Sequence, residues 1–159
     1  MAQFPLAALQ KVRKIRLQSC ARELQARQNV VAQAKRALEE CEQQIRKTLD
    51  EQQCARQALH QPAARSALYL TQQQSRIEWL EDRLAIENQT LAKAEETLDN
   101  AQQALREKQR EYRKLEAKVQ ALKTVKTKWR KRIVHAEEIA QDIESEELSN
   151  HTSNYQQVS

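Results

Sequence analysis

The chain has 159 residues with no glycine, two prolines, two tryptophans, three tyrosines and one phenylalanine, and a formal net charge of +5. Turn formers and strand formers are too scarce for a sheet or barrel, and without glycine there is no phosphate-cradling loop, dinucleotide-binding turn or nucleophile elbow. Ala, Leu, Glu, Gln, Lys and Arg lose least on entering a helix, so their dominance predicts an all-α, elongated protein.

The N-terminal segment "MAQFPLAALQKVRKIR" has only a short apolar run before charges arrive, which supports neither a signal peptide nor a membrane span. A first helix is expected within residues 1–59, helical from about residue 5. Counting by sevens from Leu17 gives Leu24, Val31, Leu38, Ile45, Gln52 and Leu59, and three residues after each member run Cys20, Arg27, Ala34, Cys41, Thr48 and Ala55. These are a and d columns, the signature of a left-handed coiled coil. Cys20, Cys41 and Cys54 form neither a CxxC pair nor a metal-ligand spacing. They read as reduced thiols serving as small hydrophobes, as in a reducing cytoplasm.

At residues 60–66 the periodicity lapses around Pro62, which cannot continue a helix, and a hairpin turn is expected. The second helix is expected over 67–147. Its start is signalled by Thr71 with Gln74 three residues on, a capping-box spacing, or by Ser66 or Gln61. From Leu70 its columns are Ile77, Leu84, Leu91, Leu98, Leu105, Tyr112, Val119, Lys126, Ile133 and Ala140, paired with Gln73, Leu80, Glu87, Ala94, Ala101, Lys108, Leu115, Leu122, Trp129, Ala136 and Ile143. The fold class is therefore a long antiparallel two-helix coiled-coil hairpin whose second helix is the longer. The charged seam members Arg27, Glu87, Lys108 and Lys126 either snorkel from a narrow seam or hold its register.

Facing positions in such a hairpin add to a constant. A sum of about 125 centres the turn on Pro62 and Ala63 and sets Gln52 against Gln73, Thr48 against Ile77 and Cys41 against Leu84, so that small meets large and amide meets amide. A sum of about 132 keeps the small-to-large rule but opposes Gln52 to Leu80 and lengthens the loop. The first is favoured. Either register leaves residues past about 120–127 without an intramolecular mate, an overhang of ~30 Å on a second helix of roughly 110 Å. Trp129, Ile133 and Ile143 would then face nothing in their own chain. Residues 148–159 are polar and aperiodic, and a disordered tail is expected.

His60, His135 and His151 have no carboxylate or cysteine at ligand spacing, and carboxylates on a two-helix seam do not converge in a dry cleft. Neither an enzyme nor a cofactor or metal is expected. Two basic clusters stand out, Lys11, Arg13, Lys14 and Arg16 on the first helix and Lys123, Lys126, Lys128, Arg130, Lys131 and Arg132 on the second. A hairpin brings both to the end that carries the termini. They suit phosphates or an acidic protein surface. Trp129 alone is no stacking platform, and no common nucleic-acid-binding motif is present, so a nucleic-acid-binding helical arm and a homo-oligomeric scaffold or tether stand as alternatives.

The stretch Leu9–Leu24, "LQKVRKIRLQSCAREL", resembles the opening pattern of the YscO/FliJ family, the central-stalk proteins of type III secretion and flagellar export, through Val12, Arg13, Ile15 and Arg16. It departs at Ser19, Cys20 and Ala21, where secretion members tend to carry an arginine-alanine-glutamate run. The resemblance implies a cytoplasmic, non-enzymatic stalk, peripheral to the inner-membrane machinery and monomeric on its own. Its implied partners are the hexameric export ATPase, the cytoplasmic ring of the export gate and secretion chaperones. On that reading Val12, Arg13, Ile15, Arg16, Lys126, Trp129, Arg130 and Ile133 meet the ATPase, and Tyr69, Leu70 and Trp79 meet the gate.

Overall fold

A computed structural model describes residues 3–61 and 66–156, with side chains described as far as Leu148. It contains two helices, α1 (Ala7–Ala58, 52 residues) and α2 (Ala67–Gln156, 90 residues), and no strand among the described residues. The expected antiparallel two-helix hairpin with a longer second helix is the fold, its two helices closely packed. The centre of the expected turn, at Pro62 and Ala63, lies outside the described residues.

With no glycine to end it in a left-handed cap, α1 closes by tightening. Leu59, His60 and Gln61 donate their N–H groups to the carbonyls of Arg56, Gln57 and Ala58 at 3.2, 3.0 and 3.3 Å. Ser66 takes the N-cap position of α2, its carbonyl accepting the Leu70 N–H at 3.1 Å. Thr71 is no cap: its hydroxyl donates to the Ala67 carbonyl at 2.9 Å, inside the first turns. At the other end α2 continues to Gln156, past the expected limit near Glu147, so residues 149–156 are helical backbone where an unstructured tail was expected. Nothing in "SNHTSNYQ" stops a helix already propagating, since each added residue costs no new nucleus.

The chain forms two compact units, Ala21–Arg110 and Met1–Cys20 with Glu111–Ser159. Within Ala21–Arg110 the core is Ala55, Ile77 and Leu80 with Leu59 against them, and Leu80 and Thr48 are both fully buried. Val31 and Ala34 carry the seam further along α1. Small residues on α1 thus accommodate large ones on α2, as two helices at close separation require.

The register is the one of about 132, not the favoured 125. Ala55 packs with Ile77, positions that add to 132, while the pairs Gln44–Glu87 and Glu23–Lys108 each add to 131. At a sum of about 125 Gln52 would meet the amide of Gln73 across the seam. Instead its stem is buried and its amide escapes sideways, donating to Glu81 Oε1 at 3.4 Å, where Arg56 also binds at 3.2 Å. Leu80 is then free to fill the layer that Gln52 vacates. Gln73 carries the cost, because its Oε1 is buried without a hydrogen-bond partner.

The charged seam members behave differently from one another. Arg27 is exposed, as a snorkelling side chain would be. Lys108 reaches Glu23 across the seam at 2.6 Å. Glu87 stays largely covered and accepts from Arg83 Nε at 2.9 Å and Gln44 Nε2 at 3.4 Å. Burial pushes its carboxyl up, but the hydrogen bonds of Thr48, Arg83 and Gln44 and the guanidinium charge of Arg83 outweigh this and hold it below the usual carboxylate range. A depressed carboxyl stabilises the fold above its unfolded value near 4.5 and loses that contribution as pH falls through the folded value. Thermal melts should therefore show Glu87→Gln costing roughly 1–2 kcal/mol at pH 7 and much less at pH 3. An equal cost at both pH values would show that the charge is irrelevant.

Candidate partner-binding surfaces

In the unit that holds the termini, the seam is closed by Cys20, Val119 and Leu122, and Arg13 donates from Nη1 to the Lys118 carbonyl at 3.2 Å. Its last layer is aromatic. Phe4, just before α1, is buried against Trp129 with ring centroids 5.4 Å apart and planes at 59°, and the Lys126 ammonium stands 5.9 Å from the Phe4 centroid. This tilted pair with a cation over one face is favourable both as aromatic packing and as a cation–π contact. Phe4 with Trp129 adds to 133 and Arg13 with Lys118 to 131, the register found in the other unit.

The Phe4 contact corrects the expected overhang. Lys126 and Trp129 have an intramolecular mate in Phe4, and Ile133 is half-buried, so α2 loses its cover only after Ile133. From Val134 to Leu148 every residue is exposed, including Val134, Ile139 and Ile143. An open cleft of about 590 Å³ marks the boundary, lined by Gln3, Phe4, Ala7, Lys126, Trp129, Arg130, Ile133, Val134 and Glu137.

Of the residues singled out in the sequence, Lys126, Trp129, Arg130 and Ile133 therefore meet around one cleft. Val12, Arg13, Ile15 and Arg16 do not line it. Val12 and Ile15 are apolar yet 46% and 55% exposed, with Arg16 also exposed beside them. Arg13 is half-buried and engaged with α2. The other lining residues, Gln3, Phe4, Ala7, Val134 and Glu137, were not among those singled out in the sequence. The chain's single phenylalanine was the signal for Phe4, but only the correct register places it opposite Trp129.

At the turn end, in the unit Ala21–Arg110, Tyr69 is half-buried, Leu70 exposed, and Trp79 is 57% exposed with the Arg83 guanidinium 5.4 Å from its ring. Trp79 thus points away from the seam. A shallow cleft lined by Leu59, Leu70, Thr71, Gln74, Ser75 and Glu78 lies beside it. Among the described residues, no group of His, Cys, Asp and Glu is placed to hold a metal, and no helix is long and apolar enough to cross a membrane.

Two helices with a seam of this kind occur in many unrelated proteins, so the architecture does not by itself fix a lineage. One protein-family profile, described as YscO-like protein, matches residues 1–156. The chain belongs to the YscO-like family. The match spans both helices and includes the Leu9–Leu24 stretch. It makes this YscO-like chain a helical protein related to type III secretion, from a family of structural stalks and adaptors not known for catalysis. No curated protein and no solved structure matches the chain.

Proposed function

We propose that this YscO-like chain is a non-enzymatic cytoplasmic stalk of a type III protein secretion apparatus. Its termini end binds the hexameric export ATPase, and its turn end binds the cytoplasmic ring of the export gate. The observation that carries the reading is the exposure of Val12 and Ile15, large apolar groups turned outward between Lys11, Lys14 and Arg16 on a stretch whose seam is filled by other residues. An apolar pair ringed by cations fits a protein pocket rimmed by acidic loops, with the apolar pair as anchor and the charges steering approach. Around the nearby cleft, Arg130 and Lys126 extend the same positive field.

At the turn end, Leu70 and Trp79 supply an exposed apolar contact of a different character, with Arg83 covering one face of the indole. A hairpin with one such surface in each unit can bias which ATPase subunits are engaged and pass that state to the gate. The nucleic-acid reading weakens, since Trp129 is occupied by Phe4 and does not offer a free face for a base.

The test is capture of the purified ATPase by the full chain. Val12→Asp with Ile15→Asp changes two exposed side chains and should leave helicity intact while weakening capture at least tenfold. Retention equal to wild type would reject the termini-end assignment. Trp79→Ala should spare ATPase capture and weaken binding of the gate ring.

A further inference from the structure

The stretch of α2 beyond the start of α1 is built as a mirror of itself. Residues 123–132 carry Lys123, Lys126, Lys128, Arg130, Lys131 and Arg132 and no acid, while 137–147 carry Glu137, Glu138, Asp142, Glu144, Glu146 and Glu147 and no Lys or Arg. From the first block through the second the a and d columns continue as Ile133, Ala136, Ala140 and Ile143, but from Ala136 onward these residues are exposed. The heptad pattern outlasts the helix that would cover it.

We propose that a second copy of this chain covers this face, residues 130–146 of its α2 lying antiparallel across a two-fold axis and its later turns diverging from the seam, which Phe4 and α1 fill from Trp129 inward. An isologous contact requires each position to meet a fixed complement, a facing d. Here Ile133 meets the partner's Ile143, and Ala136 meets the partner's Ala140, so the small pair lets the backbones approach at the centre and the isoleucines close each end. The flanking positions follow from the same register. Arg130 faces the partner's Glu144 on one side of the seam, and Arg132 faces the partner's Glu146 on the other; each ion pair occurs twice by symmetry. Ile139, 46% exposed, meets its own copy beside the axis. The cleft of about 590 Å³ by Phe4 and Ile133 lies where the partner's Ile143 arrives.

A parallel arrangement would set basic block on basic block and acid on acid, so the charges select the antiparallel one. An all-basic partner such as a polyamine-like peptide would match only the distal half, and an all-acidic one only the proximal half. A second copy matches both. The contact is short, and the two Glu137 carboxylates oppose each other at the axis, so pairing is weak and concentration-dependent. The proposal rests on the α2 face alone and not on the stalk reading. Because Arg130 and Ile133 also line the cleft assigned to the ATPase, the paired form excludes docking there.

Sedimentation equilibrium of the full chain at low salt, from about 10 μM to about 1 mM, tests it. The wild type should shift from monomer toward dimer, and added salt should weaken the association several-fold. Arg130→Glu with Arg132→Glu should weaken it at least tenfold, as should Glu144→Arg with Glu146→Arg. Combining all four substitutions should restore it, because the swapped charges are again complementary. These side chains are exposed, so helicity by circular dichroism should be unchanged in each variant. A wild type that stays monomeric throughout, which would leave the face to a different partner, overturns the proposal; so does a fourfold variant no better than the double ones.

Discussion

Leu80→Ala should be the most damaging single truncation in the unit Ala21–Arg110, lowering its stability by roughly 3 kcal/mol. Leu80 is fully buried, and the side chains around it, Ala55, Ile77 and Leu59, have little freedom to close a hole. Ala55 is already the smallest residue that can sit there, and Ile77 is a β-branched residue with one strongly preferred rotamer in a helix. Most of the cavity term should therefore persist on top of the lost transfer energy. A two-helix seam buries few residues per turn, so a loss of this size is a large share of the whole and should appear as a drop of many degrees in the thermal midpoint. Leu80→Met, which conserves volume, should cost less than about 1.5 kcal/mol.

Much of the fold was legible because the a and d columns are nearly uninterrupted. Every column member from Ile77 to Ile133 is buried or half-buried, charged ones included. Register was not legible for a reason intrinsic to the repeat: a slip of one heptad carries each column onto itself and preserves small-against-large pairing. What separates the two registers is local. Gln52 can leave the seam toward Glu81 and Arg56, and Phe4 finds Trp129, and neither contact is a periodic feature. The overhang was placed too early because Phe4, ahead of the first helical turn, still covers Trp129 and Lys126, a contact that the periodicity of neither register contains. The candidate surfaces were legible by composition and only partly by geometry. The resemblance points to Val12 and Ile15, and both are exposed. Arg13, chosen with them, instead bonds to a helix carbonyl.

The second large effect concerns the fastening of the termini end. Phe4→Ala should release the start of α1 from α2. Phe4 lies ahead of the first helical turn, where the Ala7 N–H bonds to its carbonyl at 3.0 Å and the Gln10 N–H to the Leu6 carbonyl at 2.9 Å. A helix end frays unless its terminal turn is packed, and here one buried ring does the packing. Its loss removes the tilted ring pair with Trp129 and the cation contact from Lys126 together. Backbone amides of residues 7–17 should exchange more than tenfold faster, a local cost of at least about 1.4 kcal/mol, while those of 31–55, in the other unit, keep their protection. In a Trp79→Phe background the remaining indole emission should move to longer wavelength as Trp129 becomes hydrated. Phe4→Leu should preserve most of the protection but not the ring pair, which separates burial from aromatic geometry. If Phe4→Ala leaves both exchange and emission unchanged, α1 is held by Cys20, Val119 and Leu122 alone, and the cleft beside Ile133 has no fixed wall.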